Sequence, residues 1–184
     1  MHKVFISGSM AIKKISVDVL ARIDNIIDSG YQILIGDADG VDASIQNHLL
    51  EKNAPSVVVY CTGNQPRNNV GQWAVNEIVT KYSIGTRAYF TAKDLAMAED
   101  CDYGLMIWDA KSTGTLSNAI ELLKRKKNSL VFVNKEKLFV KVKSVSELES
   151  LVSYMSESSL LKADKKIGLT STIESFKNEQ SSLF

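Results

Sequence analysis

The sequence predicts an α/β fold: an open doubly wound, mainly parallel sheet (Rossmann-like) with helices on both faces. Three observations point to it. Val/Ile-rich runs of strand length alternate regularly with segments of helical apolar spacing. The strand runs are almost wholly apolar, as expected of strands buried on both faces. And 184 residues are too few for a closed eight-stranded α/β barrel.

The first strand, residues 3–7, is an apolar run halted by Ser7-Gly8-Ser9. Ile15, Val17, Val19, Leu20, Ile23, Ile26 and Ile27 then recur at helical spacing, and Gly30 supplies a stop. Residues 31–35 form the second strand, followed by Gly36-Asp37-Ala38-Asp39-Gly40. Asp42, or Asp39 just before it, is placed to cap a helix running to Leu50. Residues 56–60 give a third strand of Val and Tyr after a serine. The polar loop 62–69 leads to an expected helix over 73–81, and 87–90 to a short strand.

Residues 91–99 are expected to be helical, with Ala92, Leu95, Ala96 and Met97 inward. The strand 103–108 stops at Asp109-Ala110-Lys111-Ser112-Thr113-Gly114-Thr115, before a helix ending in Lys124-Arg125-Lys126-Lys127. Cations in a last turn complement the helix dipole, so that run reads as a solvated helix end. Residues 130–133 are a strand and 138–142 an edge strand. Residues 146–154 form one more helix, with Ser146 and Glu149 at capping-box spacing. The domain is therefore expected over 1–157. Richness in Ser, Lys and Glu with weak periodicity predicts a polar C-terminal tail over 158–184, with room for one short helix.

Composition narrows the function classes. Lys and Arg number 22 against 21 Asp and Glu, a net charge of +1, which argues against a protein built to neutralise many phosphates. Hydrophobic content of 45% is that of a globular chain with a sizeable core. Cys61 and Cys101 make neither a metal-ligand spacing nor a C-x-x-C pair, so a Cys/His zinc site is not expected. No apolar run reaches signal-peptide or membrane-span length, which makes the cytoplasm the expected location.

In open α/β sheets ligands bind beyond the carboxyl ends of the strands, where the strand order reverses. Three strand ends here carry small and acidic residues: Ser7-Gly8-Ser9, Gly36 through Gly40, and Asp109 through Thr115. Backbone N–H groups at the helix starts that follow can face an anion, and glycine lets a ligand approach the backbone. Ser112-Thr113-Gly114-Thr115, with Lys111 beside it, is the best phosphate-binding candidate. Neither G-x-x-x-x-G-K-[ST] nor a G-x-G-x-x-G after the first strand is present, which disfavours a Walker site and a standard NAD or FAD site.

Asp37, Asp39 and Asp42 lie within six residues, and Asp109 ends another strand. Such carboxylates can hold ribose hydroxyls, bind Mg²⁺ or support an oxocarbenium-like centre, while Asp42 and Asp109 can equally be helix caps. Arg67 could clamp a phosphate. Lys93-Asp94 could also reach the site, although each of these reads more simply as a surface residue. Trp73 and Trp108 read as core.

Ser7-Gly8-Ser9, the Gly36-x-x-x-Gly40-Val41-Asp42 step into a helix, and Asp109-x-x-Ser112-x-Gly114-Thr115 together resemble the SLOG superfamily. That superfamily takes in the Smf/DprA DNA-processing proteins and the lonely guy nucleotide phosphoribohydrolases. The resemblance covers roughly residues 3–134 and is closest to small stand-alone members. It implies a Rossmann-like sheet binding a nucleotide or nucleotide-derived ligand, ADP-ribose-like, across these loops. The lonely guy enzymes resemble P-G-G-x-G-T-x-x-E, and similar deoxyribosyltransferases also place a nucleophilic Glu at that last position. This chain has Asn118 there, and its next acid is Glu121. An amide can be neither nucleophile nor general base.

Binding or sensing is therefore the expected function. The alternative is an N-glycosidic-bond hydrolase or transferase acting on nucleoside monophosphates or related nucleotides, with Asp37 or Asp109 as its carboxylate. A third reading is a DNA-processing accessory protein, against which the near-zero net charge counts. No cofactor is required by these motifs; Mg²⁺ is the one that the strand-end carboxylates could bind.

Gln180-Ser181-Ser182-Leu183-Phe184 resembles the Q-L-[SD]-L-F peptide by which bacterial proteins dock onto the DNA sliding clamp, with Ser181 replacing the usual Leu. Gln180, Leu183 and Phe184 would be the docking residues; a frayed end, or a Phe packed on its own domain or an oligomer partner, is the simpler reading. Self-association into a homo-oligomer is the other partner expected.

Overall fold

The computed structural model describes residues 1–181. Seven strands form one sheet: β1 (Lys3–Gly8), β2 (Gln32–Gly36), β3 (Val57–Thr62), β4 (Ala74–Ile78), β5 (Tyr103–Trp108), β6 (Asn128–Val133) and β7 (Leu138–Val142). Their spatial order is β4-β3-β2-β1-β5-β6-β7. All neighbours are parallel except β6 and β7, which pair antiparallel at the edge. The expected Rossmann-like α/β architecture is what the chain adopts.

Helices α1 (Val17–Asp28) and α2 (Val41–Glu51) cover one face; α3 (Arg87–Asp100), α4 (Thr113–Lys124) and α5 (Val145–Val152) cover the other. Side-chain alternation along each strand feeds the two cores. Val4 and Ile6 of β1 join Val19, Ile23 and Ile45, whereas Phe5 joins Met97, Leu116 and Leu148. The chain leaves β1 toward β2 on one face and later returns to β5, on the other side of β1, by way of the opposite face. The loops after β1 and β5 therefore diverge, and a crevice opens between them.

Two local expectations are corrected. Residues 73–81 hold a strand where a helix was expected: β4 pairs in parallel with β3, Val58 opposite Ala74. The Asn69 side chain holds the chain extended there. Its amide donates to the Trp73 carbonyl at 2.9 Å and its oxygen accepts from Trp73 N–H at 3.0 Å. Residues 87–90, expected as a strand, are the first turn of α3, because Thr86 caps it by accepting from Tyr89 N–H at 3.2 Å.

The caps also moved. Neither Asp39 nor Asp42 caps α2: the cap position is Gly40, at φ 79°, and a β-carbon there would lie 2.3 Å from the Met10 carbonyl oxygen. The cap of α5 is Ser144 with Glu147 at capping-box spacing, not Ser146 with Glu149, and the Glu147 side chain reaches one residue past the cap. Ser144 Oγ accepts from Glu147 N–H at 3.4 Å, and the Glu147 carboxylate accepts from Lys143 N–H at 2.8 Å.

The stretch read as a polar tail forms two helices, α6 (Glu157–Ile167) and α7 (Leu169–Ser181). Their polar surfaces face solvent, and a few small or apolar residues dock them beside α4 and α5. Ala163 and Leu169 are buried, with Ile173 and Phe176 packed against the same core. Leu183 and Phe184 of the expected docking peptide lie outside the described residues; the backbone of Gln180 belongs to α7. No helix among the described residues is long and apolar enough to cross a membrane.

Candidate functional site

The crevice between β1 and β5 holds a cavity of about 440 Å³. Ser7, Gly8 and Met10 form its wall from β1, Ala38 and Asp42 from the β2–α2 step, and Ser112, Gly114, Thr115 and Asn118 from the start of α4. Its remaining wall is α3 and the loop before β4, through Arg67, Arg87, Phe90, Thr91, Lys93 and Asp94.

The loop after β5 is shaped by Asp109. One carboxylate oxygen accepts from the N–H groups of Lys111 at 2.9 Å and Ser112 at 2.7 Å. Ser112 then caps α4, accepting from Thr115 N–H at 3.4 Å. Among the described residues, the N–H groups of Thr113 and Gly114 have no acceptor, as expected for the first positions of a helix. Trp108 is fully buried under this loop and donates its indole N–H to the Ser112 carbonyl at 3.0 Å. Ser9 is buried and ties the two loops together: its hydroxyl accepts from Asp109 N–H at 3.1 Å and lies 3.3 Å from the Thr115 hydroxyl. Asn118 donates to the Ser7 hydroxyl at 3.1 Å on the cavity floor. Lys111 is exposed.

The Gly36–Asp42 segment does a different job. Both oxygens of Asp37 are taken by Arg67, through Nη2 at 2.8 Å and Nε at 3.1 Å, and Arg67 N–H adds a third bond at 3.0 Å. Burial alone would raise the Asp37 carboxyl, but these bonds and the nearby Lys93 charge hold it below its ordinary range. Asn68 donates to the Asp37 carbonyl and to the exposed Asp39 carboxylate. Gln46, fully buried, donates to the Gly36 and Asn68 carbonyls and accepts from Val70 N–H. The loop carrying Arg67 is thus latched to β2 and α2.

Lys93, read from sequence as a surface residue, is buried. Its ammonium donates to Asp94 at 2.9 Å and lies 3.9 Å from Asp37. Burial opposes its charge, yet Asp94 and Asp42 raise its pKa above the ordinary lysine value. Asp42 is also buried, accepts from Ala38 N–H at 3.2 Å, and is pushed up to about 7 by desolvation, with Lys93 opposing the shift. Asp37, Asp42 and Asp94 are therefore gathered around one ammonium. Among the described residues no group of His, Cys, Asp and Glu is arranged to hold a metal ion.

Two residues at the mouth were absent from the sequence candidates. Arg87 donates to the hydroxyls of Thr113 at 3.2 Å and Ser117 at 3.4 Å, and among the described residues it has no carboxylate partner. Phe90 is 40% exposed and stacks under the Arg67 guanidinium at 5.2 Å. The available signals were Thr86, a capping residue type that starts α3 at position 87, and the four-residue step from Lys93 to buried Met97, which puts both on one helix face. No family model, curated protein or solved structure matches the chain.

Proposed function

We propose that this protein binds a nucleotide or nucleotide-derived ligand, ADP-ribose-like, in the crevice between β1 and β5. The observation that carries this reading is the convergence on one cavity of Gly114, whose N–H at the start of α4 has no acceptor, with Arg87, whose guanidinium has no carboxylate partner among the described residues. Helix N-termini and arginine are the groups that suit a phosphate. Exposed Phe90 and Met10 on the same cavity offer apolar surface for a base, and Asn118 and Ser7 offer polar groups for a ribose. The resemblance to SLOG members supports the same ligand class. Its expected Glu position is filled by Asn118, which favours binding over hydrolysis.

The test is thermal stabilisation of the full chain by AMP, ADP, ADP-ribose and cyclic nucleotides. At least one should raise Tm, and Arg87→Ala should weaken that response without lowering the Tm of the free protein. A flat response across the panel overturns the reading.

A second reading, N-glycosidic cleavage or transfer, is favoured by one observation. Asp42 is a buried carboxyl on the cavity wall, pushed up to about 7, and so able to hold a proton for a departing base. Asp37 and Asp109, the carboxylates favoured by sequence, are engaged in holding Arg67 and the α4 loop. Release of free base from a nucleotide, lost in Asp42→Asn, would establish the enzyme; no release from any of the panel removes it.

A further inference from the structure

The crevice does not end at Asn118. A second cavity of about 220 Å³ lies beside it, between α3, α4 and the turn joining α6 to α7. Arg87, Thr91, Asp94 and Asn118 line both, so the two are adjoining chambers sharing a wall of four residues. The annex alone is smaller than the ~300 Å³ at which small-molecule pockets begin, whereas the main chamber falls within that range. As an extension of the main chamber it has a natural use.

Its far wall comes from Ile167 and Thr172, in the helices that follow the sheet. That wall is built firmly. Gly168 ends α6 at φ 60°, and Asp164 accepts from Thr170 N–H at 2.7 Å and from its hydroxyl at 2.9 Å, fixing the turn. Buried Ala163 and Leu169 anchor both helices on either side of it.

The charges of the annex are unequal in their availability. Asp94 is paired with Lys93 at 2.9 Å, and Glu121 with Arg125 at 3.0 Å. Lys124, exposed at the annex, and Arg87, at the junction of the chambers, have no carboxylate partner among the described residues. Apolar Leu95, Ile120 and Ile167 line the rest, with the hydroxyls of Ser117 and Thr172. A chamber with two cations that have no carboxylate partner among the described residues, hydroxyls and an apolar lining suits an uncharged sugar or base linked through phosphate.

We propose that the annex receives the second arm of a two-armed ligand, a nucleotide joined through pyrophosphate to a further sugar or nucleoside. The first phosphate lies at the start of α4, the linkage passes Arg87, and the second arm ends against the α6–α7 turn beside Lys124. This deepens the nucleotide-binding reading and rests on it. It also makes the helices after residue 156 part of the ligand site.

Titration calorimetry of the full chain with AMP and with ADP-ribose tests it, on wild type, Thr172→Trp and Lys124→Glu. Neither position lines the main chamber. Wild type should bind ADP-ribose about tenfold more tightly than AMP. Either substitution should remove that advantage and leave AMP affinity within about twofold. Lys124 is exposed, so its variant answers even where the bulkier Thr172→Trp disturbs the turn. Equal wild-type affinity for the two ligands, or equal losses for both in the Lys124→Glu variant, overturns the annex proposal and leaves nucleotide binding standing. Binding of neither ligand overturns nucleotide binding, and the annex with it.

Discussion

The ammonium of Lys93 occupies the space a side chain at Gly36 would need: a β-carbon at position 36 would lie 2.6 Å from Nζ and 2.5 Å from Asp42 Oδ2. The glycine at the end of β2 is thus what allows a buried lysine and a buried aspartate to meet at the crevice. Both groups are packed, so neither can swing into water to make room. Gly36→Ala should cost about 1–3 kcal/mol, read as a lower urea midpoint with an unchanged slope. Wild-type stability in that variant would show that the pair relaxes freely.

Removing the cation should cost more than crowding it. Lys93→Met leaves Asp37, Asp42 and Asp94 without the ammonium they surround, and among the described residues Arg67 pairs only with Asp37. Loss of one partner from a buried charge group typically costs about 3–5 kcal/mol. Equilibrium unfolding should show a loss of that order, partly restored by adding Asp94→Asn.

The pH dependence follows from Asp42. Its carboxyl, near 3.8 when unfolded, is pushed up to about 7 in the folded protein by desolvation, so the folded state holds the proton more tightly. The stability it contributes is complete below pH ~4 and is lost as pH rises through about 7. Wild-type Tm should therefore fall relative to Asp42→Asn between pH 5 and pH 8, by several degrees for an effect of ~1–2 kcal/mol. Parallel pH profiles for the two proteins would contradict this. Asp37 acts in the opposite sense: its lowered carboxyl adds stability above its unfolded value that is lost as pH falls through its folded one.

Anion affinity should carry the same proton. An anionic ligand on the cavity wall beside Asp42 is favoured when that carboxyl is neutral, so nucleotide affinity should decline as pH rises past about 7. Asp42→Asn should flatten that decline, which calorimetry at pH 6 and pH 8 would detect.

Gly40 gives a test of the loop itself. At φ 79°, with the Met10 carbonyl oxygen 2.3 Å from where a β-carbon would sit, Gly40→Ala meets both backbone strain and a clash with backbone. The variant should lose about 2 kcal/mol or more and weaken any ligand response, since Met10 lines the main chamber. Thermal melts with and without nucleotide separate the two effects.

The seven strands differ in how plainly the sequence announces them. Runs such as Val4-Phe5-Ile6 and Leu105-Met106-Ile107 are apolar on both faces, and only a doubly covered sheet buries both. The edge strand β4 carries no such run, and its pairing with β3 depends on Asn69 clamping Trp73. The Ser112–Thr115 loop was legible because hydroxyls, a glycine and a strand end share a few residues. Arg87 was not, because its value lies in a partner 26 residues away; Lys93 could be placed near the site, but its burial depends on Asp37 at the end of β2.

The amino-acid sequence alone determined the fold class and the three strand-end loops, since these follow from local spacing and from residue types; the cap of α4 proved to be Ser112 rather than Asp109. Tertiary structure decided which charges are free. Arg67 is held by Asp37, Lys93 is surrounded by carboxylates, and Arg87 and Lys124, at adjoining chambers, have no carboxylate partner among the described residues. It also turned an apparent polar tail into a wall of the smaller cavity, because a few buried residues such as Ala163 and Leu169 suffice to dock helices whose other faces meet water. Burial and charge pairing are set by neighbours distant in the chain, and no local pattern encodes them.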